Sequence, residues 1–267
     1  MKYILMCLAA LLVCLGCAWV PAVFIAKKKK LRKSAAILLG IGLSLLLIII
    51  TMTCYLCIYY HADASASVAS DTVHMDEIEG GYFFDGPGDE SALIFYPGAK
   101  VEALAYAPLM TSLAEQGVDC FLADMPCRMA FFGSNIAEKF QNAYTYKTWT
   151  AAGHSMGGLV ISSYAADHAD RIDCLILLAA YPGKPVPDSM KVLSIYGSRD
   201  GCLNREVYEE SKEYWPSCAD EFILSGGNHA NYANYGFQNG DMEAEISREE
   251  QQRKTAEKIL DVVRSCS

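Results

Sequence analysis

The sequence predicts an α/β fold built on a mostly parallel sheet, preceded by a membrane anchor. Two charge-free apolar stretches occupy the first 60 residues. From about residue 73 onward, short apolar runs rich in β-formers alternate with helical patterns, and no repeat of 20–50 residues is evident. Continuous apolar strands separated by helices are typical of a doubly wound sheet covered by helices on both faces.

The leader, residues 1–60, predicts a hairpin of two transmembrane helices. Residues 3–26 and 34–60 carry no charge, and each stretch exceeds the roughly 20 residues needed to cross the hydrocarbon core. The basic loop 27–33, KKKKLRK, lies between them, and the positive-inside rule places such a loop in the cytoplasm. We therefore expect a multi-pass protein of the cell membrane whose C-terminal domain is extracytoplasmic.

A cleaved signal peptide and a lipoprotein anchor are the alternatives for this leader. The first apolar stretch is longer than the roughly 7–15 residues of a signal-peptide core, and cleavage would leave the lysines outside. Leu15 and Gly16 before Cys17 match a lipoprotein motif only in part.

The charge balance changes sharply after the leader. The first 61 residues hold seven basic and no acidic side chains, so the remainder has 15 basic against 31 acidic ones. An acidic domain disfavours a groove that follows nucleic-acid phosphates. Residues 61–72, HADASASVASDT, are small and polar and predict a linker. Residues 73–267 are then long enough for one domain with a substantial core.

Six cysteines lie beyond the leader, and their wide spacing matches no zinc pattern. We expect neither a metal nor a cofactor. Cys120 and Cys174 lie within strand-like runs, where a thiol packs as a small hydrophobe. Cys202 and Cys218 are conceivable disulfide partners in an extracytoplasmic domain, although the sequence does not fix the pairing. The remaining two are Cys127 and Cys266.

The predicted elements of the domain follow in order along the chain. Strands are expected at 80–84, 92–98, 118–126, 149–155, 172–182, 191–201 and 221–229. Helices are expected at 101–116, 156–169, 203–214 and 247–265.

A G-x-S-x-G sequence stands between the fourth predicted strand and the second predicted helix of the domain. It comprises Gly153, His154, Ser155, Met156 and Gly157. In a nucleophile elbow the chain turns sharply from strand to helix, flanking glycines avoid Cβ collisions, and the serine hydroxyl is held above the sheet. The alternative is a Gly/Ser cap that merely starts a helix.

A serine nucleophile needs a base, and the five histidines of the chain can be compared by position. His61 and His74 are expected to precede the sheet, and His168 lies at the far end of the helix after the elbow. His154 adjoins the serine, with its side chain turned elsewhere. His229, in a loop that leaves the last strand, is the remaining candidate.

The base in turn needs an orienting acid. Asp200 follows a predicted strand at its carboxyl end, where α/β sheets build their sites. Asp173 begins its strand and so faces the wrong end, and Asp124 precedes Ser155 in the chain. The chain order Ser155, Asp200, His229 is one of the orders in which serine, acid and histidine triads occur. A turn-capping Asp200 and a surface His229 are the structural alternatives.

Four motifs together resemble the α/β-hydrolase family, and more narrowly a bacterial group in which they recur. They are YPGAKV at 96–101, GHSMGG at 153–158, SIYGSRD at 194–200 and GGNHA at 226–230. The resemblance extends over roughly residues 78–265. One departure is Ala152, where the group usually has glycine before Gly153; an elbow needs only the nearer glycine.

The resemblance implies an acyl-transfer mechanism on a small-molecule substrate. Ser155 would attack an acyl carbon, His229 would take and return the proton, and Asp200 would orient the imidazole. Hydrolysis of a carboxylic ester or thioester is the expected reaction. The alternatives are an acyltransferase or amidase with the same triad, and a non-catalytic interaction module on the same fold.

The same resemblance implies an oxyanion hole made by the backbone N–H groups of Met156 and Ala99. Many hydrolases have His-Gly at the turn before the second donor, where this chain has Pro97-Gly98. Only about ten residues at 181–190 separate two core strands, so we expect no large cap domain. Met129, Phe131 and Phe132 are expected either to wall an acyl pocket or to pack in the core. The acidic segment 241–250 is expected to form a solvated face.

Overall fold

The computed structural model describes residues 2–30, 32–67 and 70–266, and of residues 2–12, 14 and 15 it describes the backbone alone. The chain divides into two compact units, Met1–Ile58 and Tyr59–Ser267.

The first unit contains two helices, α1 (Lys2–Lys28) and α2 (Lys33–Cys57). They contact each other where the ring of Trp19 lies against Gly40, since a Cβ added there would be 3.2 Å from the ring. Among the described residues, α2 is the one helix whose length and composition suffice to cross a membrane. The second membrane crossing stays a prediction.

The second unit is built on an eight-stranded sheet in the order β1-β2-β4-β3-β5-β6-β7-β8. The two N-terminal strands pair antiparallel, and the other six run parallel. This confirms the predicted mostly parallel sheet. The strands are β1 (His74–Ile78), β2 (Gly81–Asp85), β3 (Ser91–Tyr96), β4 (Val118–Ala123), β5 (Thr148–His154), β6 (Cys174–Leu178), β7 (Lys191–Gly197) and β8 (Asp220–Leu224).

Helices cover both faces of the sheet, as the continuous apolar strands predict. One face packs against α3 (Ala107–Ala114) and α7 (Arg248–Cys266), and the other against α4 (Ile136–Ala143) and α5 (Met156–Asp167). A further short helix, α6 (Arg205–Glu210), follows β7. The segment 179–190 between β6 and β7 contains no helix or strand, so no cap is inserted there.

Two elements escape the sequence prediction. β1 is an edge strand of sequence HMDEI whose residues are largely exposed, so it lacks the apolar pattern of the central strands. α4 is only eight residues long, and Asn135 at its N-cap makes no side-chain hydrogen bond that caps it.

Two expectations about the cysteines of the domain need correction. Cys174 is not an unpaired packing residue, because it forms a disulfide with Cys266 at the end of α7. Cys202 and Cys218, the conceivable disulfide partners, are both free thiols.

The segment predicted as a linker begins with residues that belong to the second unit. Within that unit, Asp63 accepts a 2.8 Å hydrogen bond from Arg248.

Candidate active site

The elbow sequence forms the sharp turn that its glycines predict. β5 ends at His154, α5 begins at Met156, and Ser155 between them has φ 52° and ψ −122°. A positive φ in a residue with a Cβ costs about 1–3 kcal/mol and persists only where surrounding structure enforces it. Here the N–H of Ser155 donates to the carbonyl of Leu178 in β6, at 2.9 Å. The turn leaves Ser155 partly exposed above the sheet.

The two elbow glycines are required by close approach of neighbouring backbone. A Cβ on Gly157 would lie 2.1 Å from the carbonyl oxygen of Tyr96 and 2.4 Å from that of Pro97. A Cβ on Gly153 would lie 2.6 Å from the backbone of Gly157. These contacts bring the turn after β3 directly against the start of α5.

Asp200 and His229 meet at the carboxyl ends of β7 and β8. Nδ1 of His229 lies 2.9 Å from Oδ2 of Asp200, and both side chains are almost fully buried. The other carboxylate oxygen of Asp200 accepts the backbone N–H groups of Cys202 at 2.9 Å and Leu203 at 2.8 Å. With both oxygens engaged, the carboxylate has one fixed orientation toward the imidazole.

The surroundings of Asp200 favour its ionised form. Burial alone would raise the pKa of this carboxyl, but the hydrogen bond and charge interaction with His229 and the two backbone N–H groups outweigh it. The net result is a pKa of Asp200 below its ordinary value. Asp200 is therefore a carboxylate at neutral pH.

One cavity of about 240 Å³ brings together Ser155, Met156 and His229. Asp200 does not line this cavity and lies behind the imidazole. The remaining walls are largely apolar and come from three segments of the chain; they are Leu159, Ala179, Ala180, Tyr181, Cys202, Leu203 and Asn204. None of these wall residues was a site candidate in the sequence, because their side chains converge only after the sheet has folded.

The two predicted oxyanion donors differ in their relation to this cavity. Met156 lines it, whereas Ala99 is not among the lining residues. Within the described part of the chain, no hydrogen-bond acceptor is found for the backbone N–H of either residue. The turn that carries Ala99 adjoins the elbow through the contacts of Gly157 given above.

His154 is buried beneath the elbow and takes part in a separate network. The N–H of Gly98 donates to the Tyr106 hydroxyl at 3.0 Å, and that hydroxyl lies 2.7 Å from Nδ1 of His154. Burial, with His229 nearby, holds the pKa of His154 well below its ordinary value. A neutral imidazole with its proton on Nε2 accepts a hydrogen bond from the Tyr106 hydroxyl at Nδ1. This network joins the turn after β3 to the residue before Ser155.

The other histidines lie away from the cavity. His61 is exposed beside Glu102. His74 does not precede the sheet as expected, because it begins the edge strand β1, where it is exposed beside Asp76. His168 follows the end of α5, where its ring stacks on Tyr164.

The aromatic pair Phe131 and Phe132 is neither core nor a wall of the Ser155 cavity. Their side chains are 57% and 61% exposed. Phe131 lines a separate groove along α5 that shares Leu159 with the cavity.

The expectation that segment 241–250 forms a solvated face is wrong at its first residue, because Asp241 is buried.

Comparison with known proteins agrees with this fold. A profile of the alpha/beta hydrolase family matches residues 92–253, more than half of the chain. A protein of Mycobacterium phage D29 that carries a provisional name as a non-heme haloperoxidase is 31% identical over 115 residues, which are 39% of this chain and 41% of that relative. The chain thus spans less than half the length of this relative.

Solved structures with the same fold are more distant in sequence. Alpha/beta hydrolase domain-containing protein 10 from mouse has a TM-score of 0.55 at 12% identity, with 74% of this chain and all of that chain covered. Est1E from Butyrivibrio proteoclasticus has a TM-score of 0.50 at 18% identity, with 72% and 98% covered. Dienelactone hydrolase from Anabaena variabilis has a TM-score of 0.52 at 11% identity, with 70% and 96% covered. From the family profile and the sheet order, the chain belongs to the alpha/beta hydrolase family.

Proposed function

We propose that this protein is a membrane-anchored serine hydrolase that cleaves a carboxylic ester or thioester. The observation that carries the proposal is the shared cavity of Ser155 and His229, with Asp200 hydrogen-bonded to the far side of the imidazole at 2.9 Å. A nucleophile, a base and an orienting acid in this relation are the three roles that acyl transfer requires.

In this mechanism Oγ of Ser155 attacks the acyl carbon while Nε2 of His229 takes the hydroxyl proton. The tetrahedral intermediate collapses when the imidazolium gives that proton to the leaving alcohol or thiol, which leaves an ester on Ser155. Water then attacks the acyl-enzyme by the same route and releases the carboxylic acid. Asp200 holds Nδ1–H of His229 and stabilises the imidazolium that forms in each step.

Negative charge on the acyl oxygen would be held by backbone N–H groups at the start of α5 and in the turn after β3. Met156 supplies the first donor, and the positive end of the α5 dipole lies at the same point. Ala99 would supply the second donor. Both N–H groups lack an acceptor among the described residues, which leaves them available to the oxyanion.

The cavity walls favour an uncharged acyl group. The described residues that line it include no Asp, Glu, Lys or Arg side chain. Burial raises the pKa of the Cys202 thiol to about 11, so this thiol is uncharged at neutral pH. Leu159 and Leu203 contribute apolar surface. Burying a charged acyl group against these walls without a partner would be unfavourable.

Membrane anchoring through a two-helix hairpin is the second part of the proposal. α2 supplies one crossing, α1 is of similar length, and the basic segment 27–33 between them would remain cytoplasmic. The hydrolase unit then lies on the extracytoplasmic side. The disulfide between Cys174 and Cys266 supports that placement, since disulfides persist in oxidising compartments.

The reaction class is tested with full-length protein in detergent and substrates that share one acyl group. Butyryl groups on an alcohol, a thiol and an amine are compared by product analysis, with competing alcohols and amines present. We expect a transient butyryl adduct on Ser155 and free butyrate from the ester and thioester. Faster release of butyrate from the amide than from the ester and thioester would favour an amidase over the proposed activity. Transfer of the butyryl group to the added alcohol or amine in place of water would favour an acyltransferase.

A further inference from the structure

Asp241 is a buried carboxylate outside the Ser155 cavity, and its hydrogen bonds all go to backbone N–H groups. Oδ1 accepts from Gly201 at 3.0 Å, from His229 at 3.2 Å and from Met242 at 2.9 Å. Oδ2 accepts from Ala230 at 2.9 Å. One side chain thus engages the residue after Asp200 and the backbone of His229 itself.

Asp200 and His229 lie in separate loops that no strand pairing connects beyond the ends of β7 and β8. Strand pairing ends at Gly197 and Leu224, and beyond it the N–H groups of Ser198 and Arg199 donate to the carbonyls of Leu224 and Gly227, at 3.0 and 2.8 Å. None of these bonds involves Asp200 or His229 itself. The side-chain hydrogen bond between Asp200 and His229 is short, so its geometry depends on both loop backbones. Asp241 supplies a direct bond to each of them.

Close packing around Gly201 supports the same arrangement. A Cβ on Gly201 would lie 2.6 Å from the carbonyl oxygen of Gly240 and 3.1 Å from the backbone of Asp241. Asn228, beside His229, donates from Nδ2 to the carbonyl of Met242 at 2.9 Å. The segment that carries Asp241 is therefore fixed against both loops by contacts other than its carboxylate.

We propose that Asp241 is the positioning residue that fixes the Asp200 and His229 loops relative to each other, and so sets the orientation of the proposed base. This inference rests on the proposed function. Asp241 does not line the cavity, so it acts on Ser155 activation through the two loops. Misplacement of a reacting group by about 1 Å can reduce a rate about 100-fold. Loss of the Asp241 hydrogen bonds should therefore have a measurable effect on the rate at which Ser155 reacts.

The variants of Asp241 form a graded series. Asp241→Asn keeps an oxygen for the bonds from Gly201 and His229, but its amide nitrogen cannot accept from Ala230. Asp241→Ala removes all four acceptor contacts. Gly201→Ala leaves the carboxylate intact and displaces the segment by collision, which gives a second route to the same effect.

Asp119 provides a matched control. It is also a buried carboxylate that accepts a backbone N–H, from Gly86 at 2.9 Å, and a hydroxyl, from Tyr146 at 2.7 Å. It lies near the start of β4, at the end of the sheet opposite to Ser155. Asp119→Asn and Asp119→Ala therefore report the cost of losing a buried carboxylate without disturbing either loop.

The experiment measures fluorophosphonate labelling of Ser155 in full-length protein in detergent, as a function of probe concentration. We expect the maximal labelling rate to fall about 100-fold in Asp241→Ala and by an intermediate factor in Asp241→Asn, with half-saturation unchanged. Hydrogen exchange in segments 200–203 and 228–231 should rise in the same order. The Asp119 variants should lower the denaturant midpoint yet keep the labelling rate of folded protein within about twofold of wild type.

Outcomes separate this inference from the proposed function. If wild type is labelled and both Asp241 variants and Gly201→Ala are labelled equally fast, with loop exchange unchanged, the positioning role is wrong and the proposed function stands. If folded wild type is not labelled, the proposed function fails, and this role for Asp241 fails with it.

Discussion

Removal of the Tyr106 hydroxyl is the perturbation that most directly tests the link between the turn after β3 and the elbow. Tyr106→Phe removes one oxygen and leaves the ring, which is fully buried. Two groups then lose their partner, the N–H of Gly98 and Nδ1 of His154. Each costs about 1–3 kcal/mol when left unpaired, and relaxation recovers part of this, so we expect a loss of about 2–4 kcal/mol in the free energy of unfolding.

Activity should fall as well, because the peptide that carries the N–H of Gly98 directly precedes the one that carries the N–H of Ala99, so a shift of the first displaces the second donor. Loss of a direct oxyanion donor costs about 100-fold or more in rate, and an indirect disturbance should cost less, about tenfold. The assay is the fluorophosphonate labelling rate of folded full-length protein, with urea unfolding measured on the same sample.

Tyr96→Phe is the matched control for this prediction. Its hydroxyl is also buried, accepts the N–H of Ala137 at 2.9 Å and donates to the carbonyl of Ser134 at 2.9 Å. These partners belong to the start of α4 and the turn before it. We expect a loss of stability of about 1–3 kcal/mol without a slower labelling rate. Equal labelling of the Tyr106 and Tyr96 variants, or unchanged stability of the Tyr106 variant, would refute the reasoning.

Two further predictions concern charge. The pKa of Asp200 is lowered in the folded state, so its contribution to stability is complete above the ordinary pKa of an aspartate and is lost as the pH falls through the lowered pKa. The urea midpoints of wild type and Asp200→Asn should therefore differ at neutral pH and converge in acid. A difference that stays constant with pH would contradict this. Neutralising residues 27–30 should scramble the orientation of a reporter fused after Ser267, and a reporter that stays extracytoplasmic would remove this basic loop as the determinant.

The sequence predicted those parts of the candidate site whose signals are local. The elbow around Ser155 is a five-residue pattern between a strand and a helix, and Asp200 and His229 each follow an apolar run. Such local signals are sufficient because the carboxyl ends of parallel strands lie at one edge of the sheet, so residues that follow these strands lie close together even when the loop conformations are not predicted.

The remaining parts depend on contacts between distant segments. Asp241 looked like the start of a solvated acidic stretch, because all but one of its partners are backbone N–H groups 11 to 40 residues away. The pairing of Cys174 with Cys266 spans 92 residues and has no local signal. The exposure of Phe131 likewise depends on how a 3-10 turn at 130–133 lies against the sheet.

The most direct test of the central claim is the intact mass of the full-length protein after fluorophosphonate treatment, compared with Ser155→Ala and His229→Ala. Such probes react with an activated serine and require no knowledge of the substrate. The account predicts one adduct on the wild-type protein and none on either variant. A folded wild-type protein without an adduct, or an adduct that persists in Ser155→Ala, would contradict it.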